Sequence, residues 1–209
     1  MKRLLLAILT IASVFVVVYF SLIRRRLLTW GATSEESKES LPGDDVVPNP
    51  HFLATRATTI SAPPSEVWKW IIQIGSARAG WYSLDWIDNA GVPSSRKILP
   101  EFQKIEMDDF IPFTPDQKNG MWVKDYQEFA YILWWDKKGK STWLWYLKEV
   151  DGGKTRLMTR LKTTYNFKFP WVVYYMLYDF GDIVMMRKCM LGIKERAEAN
   201  ALEVSAARR

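Results

Sequence analysis

Cysteine and histidine are nearly absent from this chain of 209 residues, which contains only Cys189 and His51. A single cysteine excludes an intrachain disulfide and any cysteine-rich metal site. A single histidine argues against a histidine-based zinc site and a Ser-His-Asp triad. The chain also lacks a glycine-rich phosphate loop. We therefore expect no cofactor and no metal. His51 lies outside any apolar periodicity and is expected at the surface.

Acidic residues are missing from the first 26 positions, which carry five of the 29 lysine and arginine residues. The net charge of +6 comes almost entirely from this segment, because the remaining 24 basic residues face 23 acidic ones. A nearly neutral domain lacks the basic surface on which nucleic-acid binding depends. We therefore expect no nucleic-acid partner.

One long uncharged run, Leu4 to Ile23, has the length that spans ~30 Å of hydrocarbon. The alternative is a cleaved signal peptide, but the run exceeds a usual signal core, arginines 24–26 follow at once, and no small-residue cleavage pattern lies beyond. No cysteine follows that could carry a lipid. The pattern predicts a single-pass anchor in the cell membrane. Basic residues flank both ends, so the side stays open, with the arginine triplet favouring a cytoplasmic domain.

Changes in composition divide the chain into four parts. The expected parts are an anchor over 1–26, a juxtamembrane linker over 27–53, a folded domain over 54–200 and a basic tail over 201–209. Thr33 and Glu36 have the spacing of a capping box, which predicts a short helix inside the linker. The linker either holds the domain near the bilayer or only connects its neighbours.

A helix-start signal opens the stretch 62–89. Two consecutive prolines stand where a missing N–H costs nothing, and Ser65 and Glu66 suit the positive end of the helix dipole. Apolar residues then recur at helical spacing as far as Gly75, which can adopt the left-handed conformation that ends a helix. A second, brief helix is predicted over 81–89. We expect the two helices to close one end of an apolar cavity.

Strands and turns are predicted on both sides of these helices. A first strand is expected over 54–61, a strand with a turn at Asp108-Asp109 over 102–113, and an antiparallel meander over 121–165. In the last two strands, alternate residues form an apolar face, and the opposite face is expected to be mostly solvated. The apolar set is Trp143, Trp145, Leu147, Leu157, Thr159 and Leu161, and the solvated set is Met158, Arg160 and Lys162.

From Pro170 onward the pattern becomes helical. A long helix, either continuous or broken near Gly181 or Gly192, is predicted to lie across the whole sheet with an apolar stripe at helical spacing. The stripe consists of Val173, Leu177, Phe180, Val184 and Leu191. Together these elements predict an α+β fold of the helix-grip kind, in which an antiparallel sheet wraps around a long C-terminal helix and two short helices follow the first strand.

The order of these elements resembles the SRPBCC or START-like superfamily, which includes Bet v 1-like proteins and polyketide cyclases. The resemblance spans about residues 30–196 and is strongest to bacterial polyketide cyclase/dehydrase-like proteins, which often carry an N-terminal membrane segment. It departs from the family at Asp108 and Ala79, where glycine is usual. The segments that carry it are 30–33, 41–44, 62–68, 73–75, 80–85, 99–101, 142–143 and 155–157.

The resemblance implies a cavity between sheet and helix that takes apolar or amphipathic small molecules, without implying a particular reaction. The candidate ligand-binding residues are Arg78, Trp81, Tyr82, Asp85, Trp143, Trp145, Leu157 and Leu161. Each of them has a structural alternative, as a core side chain, a cap or a salt bridge. Asp85 and Asp88 lie one helical turn apart, and a buried carboxyl beside indole rings would have a raised pKa.

Three functions remain open on these residues. The favoured hypothesis is a membrane-anchored domain that binds a hydrophobic or lipid-like molecule. A cyclase or dehydratase is the second; it has no evident catalytic constellation, and its weak acid–base candidates are Asp85, Tyr82 and Glu101. An interaction module with a filled core is the third. The sequence leaves the oligomeric state open.

Overall fold

The computed structural model describes Thr10, Val14, Val18, residues 24–165, Lys168 and residues 171–207, with backbone alone at 171–180, 204 and 207. No helix within this part of the chain is both long enough and apolar enough to span a membrane. The predicted span, Leu4 to Ile23, lies outside the described residues except at three positions.

The described residues form an α+β fold in which a six-stranded antiparallel sheet grips a long C-terminal helix. The strand order is β1-β6-β5-β4-β3-β2, so the first and the last of these strands are neighbours in the sheet. The elements are α1 (Arg24–Leu28), α2 (Ser34–Lys38), β1 (Phe52–Ile60), α3 (Pro64–Ile72), α4 (Asp85–Asp88), a 3₁₀ turn (Pro100–Phe102), β2 (Phe110–Pro112), β3 (Gly120–Gln127), β4 (Tyr131–Trp135), β5 (Ser141–Val150), β6 (Lys154–Thr163) and α5 (Trp171–Ala207).

The first predicted helix is present as α3, but the second is much shorter than predicted. Proline occupies the first turn of α3, and its apolar side, including Val67 and Ile71, is fully buried. The second helix shrinks from 81–89 to the single turn α4. Tyr82 has a φ of 55°, a left-handed conformation that a right-handed helix cannot contain.

The meander is present as strands β3 to β6, whereas the strand predicted over 102–113 is wrong over most of its length. Pro100 opens a 3₁₀ turn there, and only Phe110–Pro112 pairs, as β2. Asp108 has a φ of 69°, and the Asp109 carboxylate accepts a hydrogen bond from the Glu106 amide at 2.8 Å. This tight turn keeps the preceding backbone out of the sheet.

The apolar face of the last two strands is the inner face of the sheet, as predicted. Trp143 lies opposite Leu161, and Trp145 lies opposite Thr159, so the two predicted rows coincide. All four are buried. The core therefore lies between this face, α3 and α5.

The opposite face is not solvated, which corrects the sequence prediction. Met158, Arg160 and Lys162 are only 1%, 5% and 7% exposed. An N-terminal strap, residues 29–47, covers them. Arg160 donates to the Asp44 carboxylate and to two strap carbonyls, and the Lys162 ammonium donates to the Asp44 carbonyl at 2.6 Å. The predicted linker thus contains a packed layer of the fold.

The strap is held by α2, whose capping box is present as predicted. The Thr33 hydroxyl accepts from the Glu36 amide, and the Glu36 carboxylate accepts from the Thr33 amide. The same carboxylate accepts two 2.8 Å hydrogen bonds from Arg156 on β6. Gly31 has a φ of 71°, and a Cβ there would lie 2.0 Å from the Ala57 carbonyl oxygen, so the strap touches β1 backbone to backbone.

Helix α5 crosses the inner face, but its buried side differs from the predicted stripe. Val184 and Leu191 are 44% and 40% exposed, and the other stripe positions fall where side chains are not described. The buried side consists of Ile183, Met186, Cys189, Met190, Ile193 and Ala197. Apolar residues occur around the whole helix, so spacing alone did not determine which side faces the sheet. The helix continues to Ala207, through most of the predicted tail.

Candidate functional site

A cavity of about 410 Å³ lies between α5, the segment around α4 and the inner face of the sheet. Its walls are mainly aromatic and aliphatic, which suits an apolar molecule. It reaches the surface beside Ile87 and Ala90, both of which are exposed. The principal apolar lining residues are Trp81, Phe113, Trp143, Leu161, Met185 and Met186.

Three aromatic rings form one wall of this cavity. The indoles of Trp81 and Trp143 are stacked at 5.7 Å with an interplanar angle of 6°, and Phe113 meets both edge-on, at 5.3 and 5.8 Å. The Trp143 Nε1 donates to the Thr159 hydroxyl at 2.9 Å, which fixes the ring across β5 and β6. Such mutually packed rings form a rigid surface for a ligand.

Asp88, the last residue of α4, supplies a carboxylate to the cavity lining. Both of its oxygens are buried, and neither has a hydrogen-bond partner within the described residues. Burial, and then the nearby charge of Asp85, raises the pKa of Asp88 from 3.8 to about 6. The Ser83 hydroxyl and the Leu84 and Asp88 amides lie close enough to oppose part of this rise in pKa, although the Ser83 hydroxyl donates its proton to the Met185 carbonyl at 3.0 Å. The Asp88 residue thus lies at the cavity, with its carboxyl oxygens turned away from the open space.

A second carboxylate, Asp182 of α5, also lines the cavity but is already paired. Its Oδ2 lies 2.6 Å from the Arg56 guanidinium, and both side chains are at most 5% exposed. Arg56 also donates from Nε to the Leu27 carbonyl at 3.1 Å. This pair joins α5 to β1 and α1 at the cavity wall.

The structure brings three of the predicted ligand-binding residues, Trp81, Trp143 and Leu161, to the cavity. Trp145 and Leu157 lie instead in the filled core, at 0% exposure. They belong to the same sheet face but lie further along it, where α3 and α5 close over the strands. The strand pattern gives the face of a residue and says nothing of where along that face a hollow lies.

Tyr82 and Asp85 do not line the cavity. The Tyr82 hydroxyl accepts from Gln73 at 2.8 Å and donates to the Trp70 carbonyl, and burial raises its pKa. The Asp85 carboxylate accepts from the amide and the hydroxyl of Ser94. Both residues instead line a second, more polar hollow of about 590 Å³, together with charged side chains that include Arg96, Glu195 and Arg196.

Arg78 and Glu101 also lie away from the cavity. The Arg78 guanidinium donates to the Ile72 carbonyl at 2.7 Å and lies over the Phe102 ring, and burial lowers its pKa. Glu101 is exposed on the 3₁₀ turn. The acid–base set of Asp85, Tyr82 and Glu101 is therefore not assembled around one hollow.

Several lining residues carry no signal that sequence reasoning could have used. Met185, Met186 and Cys189 come from α5, and their orientation depends on how the helix is rotated against the sheet. Phe113 follows β2, a strand set by the turn at Asp108. Asp88 was recognisable in the sequence, because it and Asp85 are two carboxylates close to aromatic residues.

Comparisons with known proteins do not assign a function to this chain. No family model matches the chain, and no curated protein matches it. The solved structures it is similar to include a conserved protein of unknown function from Enterococcus faecalis, EF2215, at 15% identity and a TM-score of 0.43, covering 80% of this chain and 96% of that one. A Polyketide_cyc-like protein from Corynebacterium glutamicum, Cgl2372, has 16% identity and a TM-score of 0.35, covering 75% and 94%.

Replacing Asp88 with asparagine is expected to stabilise the fold at neutral pH. The pKa of Asp88 is raised to about 6 in the folded protein, so the folded state favours the protonated carboxyl. The stability that this proton gives is fully present below pH ~4 and is lost as the pH rises through 6. The Asp88→Asn protein should therefore gain roughly 1–2 kcal/mol over the wild type at pH 7.5, after allowance for partial exposure to water, and almost none at pH 4. Urea unfolding at the two pH values measures this difference.

Asp151, exposed in the β5–β6 turn, offers the matched control. Asp151→Asn should leave the unfolding midpoint unchanged at either pH. If Asp88→Asn raised the free energy of unfolding by the same amount at pH 4 and pH 7.5, the carboxyl would not be buried as described.

Proposed function

We propose that this domain binds a hydrophobic small molecule in the cavity between the sheet and α5. The observation that carries the proposal is a hollow of about 410 Å³ lined by Trp81, Trp143 and Met185, beside a core whose tryptophans 134 and 145 are completely buried. Protein interiors are close-packed, so a hollow of this size beside a filled core is unlike ordinary packing. Its opening beside Ile87 gives a ligand access.

The energetics favour an apolar ligand of modest size. Burial of apolar surface contributes about 25 cal/mol per Å², before the losses of translational and rotational freedom. The rings of Trp81, Trp143 and Phe113 are already packed together, so binding orders few side chains.

The two other functions that the sequence leaves open have less support. A filled-core module conflicts with the hollow. In this cavity, a cyclase or dehydratase would have only Asp88 and the ion-paired Asp182 as carboxyl groups among the described lining residues, because Asp85, Tyr82 and Glu101 do not line it. Binding without a reaction therefore remains the better proposal.

We also propose that Leu4 to Ile23 anchors the domain in the cell membrane, with the domain on the cytoplasmic side. The support is the uncharged length of this run and the arginine triplet that follows it. The described part of α1 spans Arg24–Leu28, and Leu28 at its end is 6% exposed in the main core. An anchor ending at residue 23 would therefore join the folded domain directly and hold the cavity near molecules dissolved in the bilayer.

Photoaffinity labelling of the full chain tests the binding proposal. The protein is placed in phosphatidylcholine nanodiscs and labelled with a neutral decanol that carries a diazirine, and the labelled peptides are mapped. We expect labelling at Met185 and Met186, removed by excess decanol. Gly181→Leu should reduce this labelling about tenfold, because a Cβ at position 181 has Met185 Sδ as its nearest neighbour, at 4.0 Å, and the longer side chain enters the hollow.

Val184→Leu is the matched control on the same helix, because Val184 is exposed and does not line the cavity. It should label as the wild type does. Equal labelling of the two variants, or no competition by decanol in the folded wild type, would contradict the proposal.

A further inference from the structure

We propose that the cavity selects amphipathic amines, in which an apolar body carries one protonated amino group that binds Asp88, and that it rejects fatty acids of the same length. This inference rests on the proposed binding function and names the class of ligand. It depends on the charge of the lining, on the unpartnered carboxylate and on the aromatic wall.

The described lining of the cavity carries negative charge and no positive charge. Its charged side chains are Asp88 and Asp182, and no lysine, arginine or histidine is among the lining residues. Asp182 is neutralised by Arg56, which lies behind it. A ligand in the cavity therefore faces one uncompensated carboxylate, and an anionic head group there would be repelled.

The Asp88 carboxylate lacks a hydrogen-bond donor in the described residues. Both of its oxygens are buried without a partner in the described residues, and a buried carboxylate left in this state is costly. This cost favours a turn of the Asp88 side chain towards the cavity, which would bring the carboxylate within reach of a ligand donor. An ammonium group supplies both a countercharge and three N–H donors. A neutral hydroxyl supplies one donor and no charge, so an alcohol should bind more weakly than the matching amine.

The aromatic wall favours the same ligand. Trp81, Trp143 and Phe113 line the same cavity as Asp88. Trp143 is stacked between Trp81 and Trp145, so Trp81 and Phe113 are the rings left to face a cation. The attraction of a ring face for a cation is larger where water is excluded. A carboxylate beside several aromatic rings is a chemistry suited to an organic cation, whereas the rings alone would accept any apolar molecule.

The pH dependence follows from the groups around Asp88. Asp85 shares its helix, while Cys189 and Asp182 face the cavity from α5. Burial raises the pKa of the Cys189 thiol, so the thiol stays neutral at physiological pH. The other described walls, from β5, β6 and residues 113–115, contribute no titratable group. Since the pKa of Asp88 is about 6, its carboxylate fraction, and with it amine affinity, should rise about tenfold from pH 5 to pH 7.5.

Competition against the diazirine-decanol label separates these ligand classes. Decylamine, decanol and decanoate are compared at pH 7.5 on the full chain in phosphatidylcholine nanodiscs. In the wild type, decylamine should compete at about tenfold lower concentration than decanol, and decanoate at about tenfold higher concentration. The Asp88→Asn protein should bind decylamine about tenfold more weakly than the wild type and decanol with unchanged affinity. On this variant, decylamine should compete equally well at pH 5 and pH 7.5. Comparing the two proteins cancels the partition of each competitor into lipid.

Asp85→Asn is the matched control, because Asp85 lies one turn away on the same helix and does not line the cavity. It should keep the preference for decylamine. Equal competition by decylamine and decanoate in the wild type, with decanol still competing, would overturn the inference and leave the binding function intact. Absence of competition by all three would overturn the binding function itself.

Discussion

The Asp182→Asn protein should lose about 3–5 kcal/mol of unfolding free energy, the largest effect that we predict for a single substitution. The Asp182 carboxylate lies 2.6 Å from Arg56, and the two side chains are 5% and 1% exposed. Asparagine has nearly the same shape but no charge, so the buried guanidinium would lose its countercharge. Urea unfolding followed by circular dichroism measures the loss.

Two further variants show whether the loss comes from the unpaired charge. The exposed pair Arg96–Glu195, with side chains 76% and 62% exposed, is the matched control, and Glu195→Gln should cost less than about 1 kcal/mol. The double variant Arg56→Met with Asp182→Leu removes both charges and should lie within about 1 kcal/mol of the wild type. An Asp182→Asn cost no larger than that of Glu195→Gln would show that the pair is not buried as described.

Removal of the N-terminal strap should destabilise the domain severely. A variant lacking residues 1–47 leaves Arg160 and Lys162 without Asp44, and exposes the sheet face on which Leu41 packs. The loss of the Arg160 partner alone should lower the melting temperature by roughly 6–20 °C. Differential scanning calorimetry measures the shift.

A variant lacking only residues 1–23 is the control, since α1 and the strap remain. It should melt within a few degrees of the full chain. Asp44→Asn in the full chain tests the same contacts without truncation and should show a smaller loss of the same sign. Equal melting temperatures for the two truncated proteins would mean that the strap contributes nothing to stability.

Some of the residues that line the cavity could be predicted from the sequence, and others could not. Trp143 and Leu161 follow from strand alternation, which needs only the direction of successive side chains. Trp145 and Leu157 satisfy the same alternation and yet lie in the filled core, because the position of a hollow along a face depends on what packs above it. The sequence identifies the two carboxylates of α4 as a pair, but only the folded chain distinguishes them, because Asp85 accepts two hydrogen bonds from Ser94 and Asp88 lines the cavity.

Local sequence patterns suffice to predict the antiparallel meander, the proline-started helix α3, the inner face of β5 and β6 and the capping box of α2. Each of these follows from local spacing, side-chain alternation or turn chemistry, which act over a few residues. Three features emerge only when the chain is folded: residues 29–47 cover the outer face, Met186 and Cys189 of α5 turn inward, and Asp88 is left unpartnered beside a hollow. They depend on contacts between segments distant in the sequence, as between Asp44 and Arg160 or between Ser83 and Met185, and no local pattern encodes such contacts.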